Sequence, residues 1–131
     1  MDDAALAAIQ LRAQTAFYRA FGEHAPGGEA LEPAPRVLAI RLPERPDRSF
    51  CNAVVAADAR ALLTVRDELA GWYADGGVRA WTVWTRPGDE AAAAVLAAAG
   101  HVHDAEPMLM AAPVDELDLA PRGELAIDDE A

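Results

Sequence analysis

The chain has 131 residues, and its 22 acidic against 11 basic side chains give a formal net charge of −11. That length suits one domain with a real core, and that charge repels nucleic acid and anionic membranes at long range. Every basic residue is arginine, and the single cysteine, Cys51, excludes an internal disulfide and the usual multi-cysteine zinc sites. Hydrophobic residues make up 53 %, but many are alanine, so the three tryptophans and three phenylalanines carry more of the packing than usual. No apolar run is long enough to span a bilayer and the acidic N-terminus is not a signal peptide, so a cytoplasmic protein is expected.

Residues 2–23 read as an amphipathic helix. Leu6, Ile9, Ala13, Ala16, Phe17, Ala20 and Phe21 recur at three- and four-residue steps, Asp2 and Asp3 suit the positive end of the helix dipole, and Gly22 begins its end. Residues 28–35 read as a loop. Residues 36–42, apolar on both faces and closed by Pro43, read as a strand, and 43–48 as an exposed connection.

Residues 49–88 form the organising unit. An apolar strand over 50–57 meets an expected capping residue at Asp58, and a helix with a stripe of Leu62, Val65, Leu69, Trp72 and Tyr73 runs to about Asp75. Gly76-Gly77 stops it, and a second strand follows over 78–85. Two apolar strands joined by such a helix make a parallel, right-handed crossover. Val78, Ala80, Thr82 and Trp84 fall on one face of the second strand, and Arg79, Trp81, Val83 and Thr85 on the other. Bulky residues on both faces predict a central strand covered on both sides. Asp89 caps a further helix whose buried side is Ala92, Val95, Leu96 and Ala99, and Gly100 stops it. Residues 101–112 read as extended, either one bent strand or a short hairpin turning at Asp104-Ala105-Glu106. From Val114 the chain is acidic and reads as a tail or linker.

The segment from Asn52 to Met110 resembles the second half of a GNAT-superfamily N-acetyltransferase domain. The family's helix start, G-R-A-L-L, is matched by Ala59-Arg60-Ala61-Leu62-Leu63. Its N-x-x-A-x-x-L-Y-x-x-x-G-F string is matched at those spacings by Asp89, Ala92, Val95, Leu96, Gly100 and His101, with Met108 and Met110 on the late strand. The chain is more similar still to the degenerate N-terminal half of two-part actinobacterial-type GNAT proteins. The matching strings are Phe50-Cys51-Asn52-Ala53-Val54-Val55, Trp81 to Trp84 with Pro87-Gly88, Leu96 to Gly100, and Pro107-Met108. The resemblance implies a mixed α/β (α+β) sheet with helices on both faces, in the order helix-strand-strand-helix-strand-helix-strand. It implies one domain over 1–113, with 114–131 leading toward a catalytic GNAT domain in cis that binds acetyl-CoA, from about Gly123-Glu124-Leu125-Ala126-Ile127.

The family grips the coenzyme's pyrophosphate with backbone N–H groups at a helix N-terminus, which glycines leave open. Here the corresponding position is Ala56, Ala57, Asp58, Ala59 and Arg60, without glycine and shorter than the family's loop. A carboxylate at Asp58 costs an anionic ligand on the order of 1 kcal/mol. The family's general-acid tyrosine is replaced by Leu96, which has no proton to give. Tyr18 and Tyr73 stand elsewhere, on helices where packing is the plainer role. No catalytic residue is therefore assigned, and no cofactor is expected in this segment.

Asn52 interrupts an apolar strand. It suits either a structural hydrogen bond or, with Trp81 and Trp84, the wall of an acceptor pocket. His101 and His103 alternate beside Asp104, but strand histidines explain them without a metal, and none is assigned. Cys51 is expected as a buried small hydrophobe. The favoured reading is a non-catalytic half that supports a catalytic acetyltransferase and helps shape its acceptor site. The alternatives are a self-associating interaction domain and, third, an atypical active acetyltransferase. No nucleic-acid or membrane partner is expected.

Overall fold

The structure, a computed structural model, describes residues 2–103. Three aspartates start its three helices. Asp2 accepts from Ala5 N–H at 2.8 Å ahead of α1 (Asp3–His24), Asp58 caps α2 (Ala59–Asp75), and Asp89 accepts from Ala92 N–H at 3.0 Å ahead of α3 (Glu90–Ala98). Four strands, β1 (Glu29–Ala34), β2 (Val37–Arg41), β3 (Ala53–Ala56) and β4 (Thr82–Thr85), form one sheet in the order β1-β2-β3-β4. The first two pairings are antiparallel. β3 and β4 are parallel and joined through α2, the crossover expected from the sequence.

The class is mixed α+β with helices on both sheet faces. Alternation along the strands sorts the core. Val37, Ala39, Val54 and Ala56 face α2, where Leu62, Val65, Leu69 and Tyr73 bury, with Val95 and Leu96 of α3 against them. Leu38, Ile40, Ala53 and Val55 face α1 and its Tyr18. The α2 stripe is the one its spacing predicts, with Trp72 half-buried at the margin.

Several expectations are corrected. Residues 28–35 were expected as a loop but contain β1, which forms a hairpin with β2 through Pro35-Arg36. An edge strand with one large apolar residue, Leu31, two glutamates and a proline carries little strand signal. Its register shift between Leu31 and Ala34 accommodates Pro33. The strand expected over 50–57 begins at Ala53, because residues 49–52 turn, with Cys51 N–H donating to Arg48 C=O at 3.0 Å.

The strand expected over 78–85 begins only at Thr82. Arg79 and Ala80 N–H both donate to Pro46 C=O instead, at 2.8 and 3.1 Å. The period-two parity therefore fails before Thr82, and Val78 buries on the α2 face beside Trp81 and Val83. Among the described residues β4 is an edge strand and β2 and β3 are central, although β4 does have packing on both faces. Ala99 is exposed at the end of α3, outside its buried side. Gly77 and Gly100 do end their helices, with φ of +72° and +87°. Residues 101–103 are not in a strand, and the rest of the extended segment, the 113/114 boundary and the tail lie outside the described residues.

α1 is rotated from its expected stripe. Ala13, Ala16, Phe17 and Ala20 are exposed, whereas Tyr18 and Gly22 are buried, flanked by Leu11 and Phe21. Gly22 does not end the helix; it lets the helix approach the sheet, and a Cβ there would collide with Ile40 Cδ1. Gly22→Ala should therefore destabilise by about 1–3 kcal/mol through overpacking. Gly71→Ala, with nothing within 4 Å of the new Cβ on α2, should stabilise by about 0.5–1 kcal/mol. Urea unfolding of the two variants checks both signs.

Candidate functional site

β3 runs straight into the position corresponding to the coenzyme loop. Ala56 is buried at its end, and Ala57 N–H donates to Arg36 C=O at 2.9 Å. Asp58 then accepts from Arg60 and Ala61 N–H at 2.9 and 3.3 Å. The side chain thus occupies the amides that a helix N-terminus would otherwise offer to an anion.

Asn52 is fully buried. Its Oδ1 accepts from Leu42 N–H at 2.6 Å, and its Nδ2 donates to Arg45 and Arg48 C=O at 2.9 and 3.0 Å. Both amide protons are committed to backbone carbonyls. Trp81 and Trp84 lie on opposite sheet faces, so the structure does not bring these three residues together around one cavity. Trp81 stacks on Tyr73 with centroids 4.6 Å apart and meets the edge of His101 at 4.8 Å. Trp84 Nε1 donates to Tyr18 Oη at 3.2 Å, and Tyr18 Oη donates in turn to Phe50 C=O at 3.2 Å.

Both tyrosines anchor the core. Tyr73 is fully buried and donates to Ile40 C=O at 2.8 Å, and burial raises its pKa above the ordinary range. Burial also raises the Tyr18 pKa, against the smaller opposing pull of the Trp84 hydrogen bond. Leu96 packs half-buried against the α2-side core. Cys51, expected to be buried in a strand, is half-buried in the turn. Among the described residues no group of three or more His, Cys, Asp or Glu side chains is placed to hold a metal ion, and no helix is long and apolar enough to cross a membrane.

Sequence reading missed a groove of about 670 Å³ between α1 and the sheet. Leu11, Leu38 and Val55 contribute apolar walls, and Arg12, Arg19, Arg36 and Arg86 are among the residues that line it. Arg12 comes from α1, Arg36 from the β1–β2 turn and Arg86 from just past β4, so no local pattern links them. The one local signal was a proline-arginine pair in a two-residue turn, hidden because β1 itself was unreadable.

No protein-family model, curated protein or solved structure matches this chain. Its functional reading rests on residues and geometry.

Asn52→Ala would leave Leu42 N–H and two carbonyls without their partner, and should destabilise by at least about 2 kcal/mol in denaturant unfolding. His101 should titrate below 6.5, because burial disfavours its charged form. The neutral ring is the form the fold prefers, so its contribution is intact above 6.5 and is lost as pH falls through the lowered folded value. NMR titration gives the pKa, and His101→Gln should flatten that part of the stability–pH profile.

Proposed function

We propose that this chain is the non-catalytic, cytoplasmic N-terminal half of a two-part GNAT-like protein. It packs against a catalytic half that binds acetyl-CoA, stabilises it and helps shape its acceptor site. The observation that carries this reading is the Asp58 carboxylate on the α2 amides, within a parallel β3–α2–β4 crossover that follows an antiparallel hairpin and strand. The mixed sheet with its parallel crossover supports this reading, and the helix N-terminus that would seat an anion is filled by the chain's own side chain. Leu96 at the general-acid position supports the same reading.

An exposed aromatic patch supports a docked partner. Phe17 and Phe50 are 52 % and 63 % exposed, and both contact Tyr18, at centroid distances of 5.1 and 6.2 Å. A catalytic half in cis would cover these rings. The second reading, self-association, draws on the same patch. An active acetyltransferase is the least supported reading, because no side chain here takes the acid's place.

Titration calorimetry of the chain with acetyl-CoA should give no binding heat, and a thiol-release assay no turnover; micromolar affinity would overturn the non-catalytic assignment. Sedimentation should give a concentration-independent monomer if the patch serves a partner in cis, and a reversible dimer if it serves a second copy. Asp58→Ala should cost about 1 kcal/mol of stability through loss of the cap.

A further inference from the structure

The groove beside α1 carries chemistry that the proposed role does not use. Its walls at Leu11, Leu38 and Val55 are apolar, and its volume is that of a small-molecule site. It opens beside Ala57 and Arg86, immediately past the carboxyl ends of β3 and β4, where open sheets with parallel strands take their ligands.

Charge decides what kind of ligand fits. In a chain of net charge −11, four of the 11 arginines line this groove, against the carboxylates of Glu23 and Glu32. Glu32 is already paired with Arg19 across α1 and β1. Among the described residues Arg12, Arg36 and Arg86 form no ion pair with a carboxylate. Three arginines that line one apolar groove and have no ion pair among the described residues favour an anionic head, since arginine donates in a fork that matches carboxylate and phosphate.

The backbone gives an independent sign. Arg36 has φ +67°, the only positive value at a non-glycine residue among those described. A Pro-first two-residue turn wants glycine or asparagine at this second position, and a long side chain there is strained. Strain of this kind clusters where a side chain is needed for more than the fold. Here it brings Arg36 to the groove.

We propose that this groove binds a small amphipathic anion, with a carboxylate or phosphate head held by Arg12, Arg36 and Arg86 and an apolar chain lying along Leu11, Leu38 and Val55. The proposal does not depend on the reading of the chain as half of an acetyltransferase, because its head-binding residues Arg12, Arg36 and Arg86 match none of the family strings, although Val55 of one string contributes an apolar wall.

Amide-resolved NMR titration of the full chain with octanoate, octyl phosphate and octylammonium tests it. Octanoate or octyl phosphate should shift the amides of Leu11, Leu38 and Val55 with saturation, and the tighter of the two identifies the head as carboxylate or phosphate. Octylammonium should leave those amides unmoved. Arg86→Gln should weaken the anion at least tenfold. Arg36→Gly should weaken it similarly while leaving Tm unchanged or raised, which an arginine needed only for folding would not do. Equal binding of octylammonium, undiminished affinity in either variant, or no shift with either anion at millimolar concentration overturns the proposal.

Discussion

One buried amide holds the junction of the sheet. Asn52 precedes β3, and through its side chain it fixes Leu42, just past β2, together with Arg45 and Arg48 of the intervening loop. Its backbone C=O accepts from Thr82 N–H at 2.9 Å, the first residue of β4. Three strands and the loop that crosses their ends are therefore registered on a single residue. A polar group at this depth is tolerable only because its donors and acceptor are satisfied. The same connection receives Arg79 and Ala80 N–H at Pro46 C=O, which takes residues 78–81 out of the sheet and leaves β4 short.

With alanine so abundant, the two faces of the sheet depend on a few aromatic anchors, and each face uses a tyrosine in the same way. Tyr73 of α2 buries its ring against Trp81 and sends its hydroxyl to Ile40 C=O on β2. Tyr18 of α1 buries against Leu38, Ile40 and Val55, and its hydroxyl joins Trp84 to Phe50 C=O. The rings supply area that alanine cannot, and aromatic pairs add about 0.5–1.5 kcal/mol beyond it. The hydroxyls fix where each helix sits along the sheet. Gly22 completes the α1 contact by removing the Cβ that would hold the helix away from Ile40.

The order of the crossover unit and its helices were legible because their signals are local, although both of its strands begin later than the sequence suggests. Asp58 and Asp89 cap, Gly77 and Gly100 stop, and the α2 stripe repeats with the helical period. What stayed unreadable depends on partners distant in sequence. β1 is a strand because β2 offers it an edge, not because its residues favour one. The face of α1 was misjudged because counting large apolar residues favours Phe17 over Gly22, while the sheet rewards close approach and a hydroxyl with a partner. Asn52 was recognisable as unusual, but its three partners lie in a connection whose path no spacing rule gives. The arginines of the groove are the extreme case. Arg12, Arg36 and Arg86 are far apart in the chain, and each reads alone as a solvated charge.

The placement of charge joins the two functional readings. A helix N-terminus attracts anions through a partial positive charge and unpaired amides. In α2 that potential is consumed by Asp58, a residue of the same chain, so an external anion meets a carboxylate there. On the α1 face the balance is reversed, with guanidinium groups outnumbering carboxylates around an apolar groove. Among the described residues Arg12, Arg36 and Arg86 pair with no carboxylate, although the protein is strongly acidic. Arg36 stands in a strained turn, a position at which glycine would serve the hairpin better. The fold thus closes the backbone seat at α2, and on the proposal made above an anion drawn to the arginines of the groove would meet apolar walls that select for its tail as well as its charge.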